Sequence, residues 1–411
     1  MRRRGTTALL VTIIVLLVVV IAGLGFFVAQ ELQLPLPIKI PGISAGSTVT
    51  PGVPPTSTAS FTPTGVPHVV GTQLVDANGH PLTLRGAQIE SPFNYIKGWE
   101  QGKTPAQVMN APTSFQVMAQ QWHMNALRLP ISNWIYAKYP TSYLNQLDEI
   151  VQEANSAGLY VILDLHDDIK AGSPYDQNAT LPKVEDLNFW KIIAAHFKNN
   201  PMVMFDLYNE PKEPNWNVWR NGGVVIDGAH VVGFQQMVDA IRSVGAQQVI
   251  VLEPGSAGHS GENNNNPEEG GWATFPANDA INDPNVMYSL HVYQDIIQSP
   301  QAQNQKWGPL LNHVALYYGE WAFLPNVQGS TGVAHCQSLP TNGTQASQVV
   351  TNFLNYMASI HANWTAWEFA PPYMVQSYSS YAPTVFPATF TCGDSKAVVG
   401  MGSIIKQYLA S

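Results

Sequence analysis

The chain has 411 residues, 45% of them apolar and only 11% charged, with a formal net charge of −9. So large an apolar share excludes a disordered chain, and the acidic balance argues against nucleic acid as a partner, since a phosphate backbone needs a basic face. Two cysteines, Cys336 and Cys392, are too few for a disulfide framework or a structural zinc site, though they could make one bridge.

Arg2, Arg3 and Arg4 precede ALLVTIIVLLVVVIAGLGFFVA, the 22 residues from Ala8 to Ala29, which are long enough to cross a bilayer. A signal peptide has a shorter apolar core, and Phe26 to Gln30 makes a poor cleavage site. The expectation is therefore a basic cytoplasmic end (1–7), a retained single-pass anchor in the cell membrane (8–30) and all later residues on the outer side; secretion after signal cleavage is the rival. Residues 31–67 are rich in Pro, Ser, Thr and Gly and read as an extended spacer that holds the next domain off the membrane.

Residues 68–411 show no internal linker and read as one domain. It begins with a hairpin signal, VVGTQLVDANGHPLTLRG, turning at Asn78-Gly79. Eight short apolar runs follow: LTLRGAQI (82–89), ALRLPI (126–131), YVILDLHD (160–167), VMFDLYNEP (203–211), VIVLEPG (249–255), VMYSLHVY (286–293), VALYYGEWA (314–322) and WTAWEFA (364–370). Helical periodicity lies between them, clearest at Trp190, Ile193, Ala194 and Phe197 and at Val349, Val350, Phe353, Leu354, Met357 and Ile360. Eight strands alternating with helices predict a parallel (β/α)8 barrel, an α/β fold; an open doubly wound sheet is the alternative, but no dinucleotide or P-loop fingerprint follows an early strand.

Six of the runs end in a strong hydrogen-bonding or ionisable group: Arg128, His166, Asn209-Glu210, His291 with Tyr293, Glu320, and Trp367-Glu368. A barrel brings all C-terminal strand ends to one face, where barrel active sites sit. Glu210 and Glu320 are a pair suited to glycoside hydrolysis, one protonating a leaving oxygen while the other attacks or stabilises a cationic carbon. Arg128 suits holding one of them ionised. A buried ion pair bracing the barrel would not need Asn209, His291 and Tyr293 at the same level. The histidines show neither HxH nor HExxH spacing, which disfavours a metal hydrolase, and no calcium-loop spacing joins Glu262, Glu268 and Glu269.

The ordered set LRLPIS, LDLHD, FDLYNEP, SLHVY, YGEW and WTAWEF resembles glycoside hydrolase family 5, the cellulase family of clan A, from about Val69 to the C-terminus. The resemblance implies Glu210 as acid/base and Glu320 as nucleophile of a retaining enzyme that needs no metal or other cofactor. It further implies Arg128 beside the nucleophile, His166 and Asn209 on the sugar, His291 orienting the acid/base, Tyr293 hydrogen-bonded to the nucleophile and Trp367 as a sugar platform. One departure is GAQIES, where many members carry Gly-x-Asn. The expected substrate is a polysaccharide or oligosaccharide and the expected state a monomer. Endo-β-1,4-glucanase action leads; a β-mannanase, a β-1,3- or exo-β-glucanase and a non-catalytic carbohydrate-binding barrel are the alternatives.

Trp99, Trp134, Trp216, Trp219, Trp272, Trp307 and Trp321 fall at or beyond strand ends, where an exposed indole could face a pyranose, although for any one of them ordinary packing is the simpler expectation. Cys336 and Cys392 fall in the loops after the seventh and eighth strands, neighbours on the catalytic face, and export would let a bridge between them persist. If Ala8 to Ala29 is a retained anchor, the protein should stay with membranes through a carbonate wash; a mature N-terminus near Gln30 recovered from the medium would show a cleaved signal instead.

Overall fold

The computed structural model describes residues 64–89, 111–166, 181–211, 215–226, 229–255, 271–276, 280–293, 296, 299–323, 342–390 and 400–411. The expected anchor, almost all of the spacer, Trp99, Glu262, Glu268, Glu269 and the pair Cys336 and Cys392 lie outside the described residues. Among the described residues no helix is long and apolar enough to cross a membrane.

Packing begins slightly before His68: Val66 is buried, and the Thr64 N–H donates to Gln247. Strands β1 (His68–Val70) and β2 (Gln73–Val75) pair antiparallel. Two glycine turns shape this entry, Gly71 at φ +63° between the strands and Gly79 at φ +83° after them. The expected Asn78-Gly79 turn is thus present, with Asp76 accepting from the N–H groups of Asn78 and His80, but it sends the chain into a third leg where Leu82 N–H returns to Leu74 O. The turn at Gly71-Thr72 escapes a sequence search because Gly-Thr is a far weaker hairpin signal than Asn-Gly.

The eight apolar runs all become barrel strands: β3 (Arg85–Gln88), β4 (Ala126–Ile131), β5 (Tyr160–Leu165) and β6 (Val203–Asp206), then β9 (Ile250–Leu252), β10 (Val286–Val292), β11 (Ala315–Trp321) and β12 (Asn363–Ala366). Between β6 and β9 the chain inserts an antiparallel pair, β7 (Gly222–Ile226) and β8 (Ala229–Val232). The barrel pairs are parallel, and β12 closes on β3 with Trp364 opposite Arg85. Asn363 fixes this seam, its Oδ1 accepting the Leu84 N–H at 2.8 Å and its Nδ2 donating to Leu316 O.

Strand periodicity sorts the side chains. Leu127, Leu129, Leu163, Leu165 and Phe205 point outward into the core shared with the helices. Their neighbours Ala126, Ile162, Met204, Val249, Met287 and Ala315 point inward and form a separate apolar layer, with Leu74 of β2 packed into it at the N-terminal mouth. The helices bury one stripe each, as their period requires. Val350, Phe353, Leu354 and Met357 do so on the helix Gly343–Ser359, which Asn342 caps, and Trp190, Ile193, Ala194 and Phe197 on Val184–Phe197.

Leu74 carries the plug's side of the inner layer, so Leu74→Ala should cost about 2 to 4 kcal/mol in urea unfolding with an unchanged slope. A loss well under 1 kcal/mol would show that the hairpin is not part of the core.

Candidate active site

One step further along the same inward parity, the barrel interior turns polar. Arg128 of β4 is fully buried, and its guanidinium uses its whole fork. Nε donates to Asp206 Oδ2 at 3.0 Å. Nη1 donates to Glu320 Oε1 and to Gln88 Oε1, both at 2.5 Å. Nη2 donates to Glu253 Oε1 at 2.9 Å and to Asn209 Oδ1 at 3.1 Å, and lies 3.0 Å from Asp164 Oδ1. Gln88 is the residue at the departing GAQ motif; it occupies the inward position and serves as an acceptor for the guanidinium.

Glu320 reaches the interior through a break in the β10–β11 register. Leu290 faces Tyr318 but His291 faces Glu320, so Gly319 has no partner. A bulge of this kind re-aims the next side chain. Glycine leaves room here for its neighbours, because a Cβ on residue 319 would lie 2.7 Å from Ser289 Oγ and 3.0 Å from His291 Nε2 and would make those side chains shift. Glu320 then accepts from Arg128 with Oε1 and from the Tyr293 hydroxyl with Oε2.

Glu210 follows β6 and is held in a different way. Its backbone is left-handed, φ +48°, a conformation costly for a side chain with a Cβ and one that concentrates at functional sites. Its N–H donates to Glu253 Oε2 at 2.6 Å, and its Oε1 lies 3.0 Å from His291 Nδ1. Ring nitrogen and carboxylate oxygens of Glu210, His291 and Glu320 all fall within 4.8 Å of one another. The Glu210 side chain is 19% exposed against 4% for Glu320, so Glu210 stands on the solvent side of the pair.

The structure therefore brings together Arg128, Asn209, Glu210, His291, Tyr293 and Glu320 from the sequence-derived set. His166 joins them through Asp164, whose Oδ2 lies 2.6 Å from His166 Nδ1. Trp367, half-buried just beyond β12, hangs its N–H on Trp321 O and sets its ring edgewise to Tyr373. Four buried residues of the cluster were not singled out from sequence: Gln88, Asp164, Asp206 and Glu253. A usable signal existed, since each acid sits two residues past an inward apolar one, as in Ile162 and Asp164, Met204 and Asp206, Val251 and Glu253.

For the other described tryptophans, ordinary packing is what the structure shows. Trp219, Trp272, Trp307 and Trp321 are fully buried and line no cleft. Two of them hold barrel backbone instead: the Trp219 indole donates to Glu253 O, just after β9, and the Trp272 indole to Ser289 O, within β10. The Trp307 indole donates to the Tyr318 hydroxyl, so three of these four buried rings also have a hydrogen-bond acceptor. Trp134 and Trp216 are half-buried against the core.

Burial pushes the Asp206 carboxyl well above the ordinary carboxylate range; Arg128 opposes this, while Glu253 and Asp164 reinforce it. Burial works against a charged His291, yet Glu253, Glu320 and the contact with Glu210 outweigh it and hold the imidazole well above its ordinary value. Three sets here have ligating atoms close enough to share a cation: Asp164, His166 and Glu320; Glu210, His291 and Glu320; Asp164, Asp206 and Glu253. Each includes a carboxylate already paired with Arg128, whose charge opposes a metal ion.

Residues 75–371 match the family model "Cellulase (glycosyl hydrolase family 5)". Among curated proteins, the chain is 22% identical over 323 residues to endoglucanase E-5 of Thermobifida fusca, covering 78% of this chain and 59% of that protein. It is 27% identical over 282 residues to an endoglucanase of Paenibacillus polymyxa, covering 62% and 66%. The chain spans about half the length of the curated relatives it matches. Similar solved structures include the β-glucanase SdGluc5_26A of Saccharophagus degradans in complex with cellotetraose, with TM-score 0.58 and 20% identity over 85% of this chain and 94% of that one. The catalytic domain of T. fusca endoglucanase Cel5A (E5) aligns with TM-score 0.55 and 19% identity over 84% and 98%.

A carboxyl whose folded-state value is raised contributes stability that is fully present below its unfolded value, here 3.8, and is lost as pH rises through the raised one. Asp206→Asn keeps an acceptor for Arg128 and removes that titration. The variant should therefore show a smaller fall in melting temperature than the parent as pH rises above 3.8. Parallel stability curves for the two proteins would show that Asp206 keeps no proton.

Proposed function

The chain belongs to the cellulase family, glycoside hydrolase family 5, and from that premise we propose that it cuts β-1,4-glucan chains internally with retention of configuration, using Glu320 as nucleophile and Glu210 as acid/base. The observation that carries this reading is the approach of the two carboxylates: one oxygen of each lies within 4.8 Å of the other. So short a separation suits direct attack by one carboxylate, whereas an inverting enzyme needs roughly 6.5–9.5 Å to seat a water.

The two glutamates receive different support. Glu320, ion-paired with Arg128 and hydrogen-bonded by Tyr293, is oriented to attack the anomeric carbon. As the C–O bond to the leaving sugar breaks, Glu210 passes its proton to the departing oxygen, giving a glycosyl ester on Glu320. Glu210, now a carboxylate, takes a proton from water as that water displaces the ester and restores Glu320. His166, close to Glu320, and Asn209, held by Arg128, would bind hydroxyls of the sugar under attack, and Trp367 would lie against its apolar face. The β-1,4-glucan assignment is supported by the endoglucanases among the relatives and by the cellotetraose bound in the S. degradans enzyme.

The same proposal extends to location. Ala8 to Ala29 would anchor the chain in the cell membrane, the Pro/Ser/Thr-rich spacer would carry the barrel outside, and Cys336 and Cys392 would be bridged there.

Glu320→Ala should abolish turnover on soluble β-glucan. Glu210→Ala should lose roughly 10²- to 10⁴-fold on glucan yet recover much of its rate on aryl glycosides with activated leaving groups, and further with added azide. The first-formed anomer, followed by NMR, should be β. An α-anomer would overturn the assignment of both residues.

A further inference from the structure

Glu253 has no part in the mechanism above, yet it is the most connected carboxylate beside Glu210. It directly follows β9, is 2% exposed, and its backbone carbonyl is pinned by the buried Trp219 indole. Oε2 accepts the Glu210 N–H at 2.6 Å, at the residue whose left-handed backbone must be held. Oε1 accepts from Arg128 Nη2 at 2.9 Å and lies 3.0 Å from His291 Nε2. The Nε2–H points off the line to that oxygen, so the contact is an ion pair rather than an aligned hydrogen bond. His291 thus stands between two carboxylates, with Nδ1 toward Glu210 and Nε2 toward Glu253.

We propose that Glu253 is a positioning residue for the acid/base: it holds Glu210 by the backbone N–H and through His291, and its charge keeps one proton on the Glu210–His291 pair. This rests on the role proposed above for Glu210. A ring nitrogen facing a carboxylate needs a proton, because its lone pair would otherwise oppose that charge. With Nε2 kept protonated by Glu253, the mobile proton is the one between Nδ1 and Glu210 Oε1. When it moves to Oε1, its bonding electron pair stays on Nδ1, the ring becomes neutral with its proton on Nε2, and Glu210 becomes the neutral acid able to protonate a leaving oxygen.

The groups facing this pair are Glu253 just after β9, Glu320 from β11, and Tyr293 of the ring's own β10 through Glu320, with Arg128 of β4, Asp164 of β5 and Asp206 of β6 behind them. Glu253 and Glu320 are the charges that hold His291 above its ordinary value against burial. Removing one of them should let the pair lose its proton at lower pH.

The test compares the full chain with Glu253→Gln, which keeps shape and loses charge. The alkaline limb of kcat/KM on soluble β-glucan should move toward acid by about one pH unit or more. At neutral pH the loss should be roughly 10²-fold on glucan but under about tenfold on an activated aryl glycoside, which needs little protonation. Glu253→Asp should restore the limb toward the parent position. A variant that is merely slower at every pH, with the limb unmoved, would overturn the proposal. A second measurement needs no turnover: the ¹⁵N signals of the His291 ring in the parent, assigned by their loss in a folded His291→Gln, should show Nε2 protonated well above pH 6.5. Titration at the ordinary histidine value would overturn the role of Glu253 even in an active enzyme. An inactive parent with the expected ¹⁵N titration would instead refute the hydrolase reading and leave the Glu253–His291 coupling standing.

Discussion

A guanidinium sealed inside a barrel must have its donors answered and its charge balanced, and Arg128 meets both demands only by drawing on side chains from β3, β5, β6, the residue after β9, and β11. Removing one member of such a buried ion-pair set costs several kcal/mol, because the remaining charge stays buried without its partner. The arrangement therefore fixes Glu320 and Asn209 relative to each other before any sugar arrives. It also overcompensates, with Asp164, Asp206, Glu253 and Glu320 all at the guanidinium. Burial first, then Glu253 and Asp164, push the Asp206 carboxyl up, and Glu253 and Glu320 push His291 up against burial, so both groups favour their protonated forms more than they would in water.

Regular strand geometry alone would not deliver the two central glutamates. A strand alternates faces, and both catalytic candidates depart from that repeat: Glu320 by the unpartnered Gly319, Glu210 by its left-handed backbone. A similar economy of space operates lower down, where a Cβ on Gly86 would fall 1.8 Å from Ala126 O, so β3 and β4 meet at a distance only glycine permits. These positions carry no reactive atoms, yet they decide where the reactive atoms stand.

Much of this was legible in the sequence. The barrel strands were visible because each is a short apolar run bounded by polar punctuation; His166, Glu210, His291 and Glu320 because they stand at the C-terminal ends of those runs, where a parallel barrel gathers them; and Arg128 because it is a charge set inside one, in the middle of β4. What escaped has physical reasons. Asp164, Asp206 and Glu253 pass for ordinary strand-end polarity until the inward parity is counted against Ile162, Met204 and Val251. The β7–β8 pair was hidden in a glycine-rich stretch without a clean alternation. For the tryptophans, packing was the simpler expectation for each ring taken alone, and Trp219, Trp272, Trp307 and Trp321 are indeed core residues.

The seam between β12 and β3 has a consequence for how the protein is made. Leu84 and Asn363, which join it, are 279 positions apart, and Arg128 and Glu320 are 192 apart. Closing such separations is entropically slow, so the site belongs to the last stage of folding rather than to any early local unit. Until β12 docks, a growing chain carries β3 with an open edge and Arg128 without the carboxylate of β11. Such an intermediate exposes strand edges that invite pairing with other chains. Barrel closure thus assembles the charged centre and retires the aggregation-prone edge in one cooperative event.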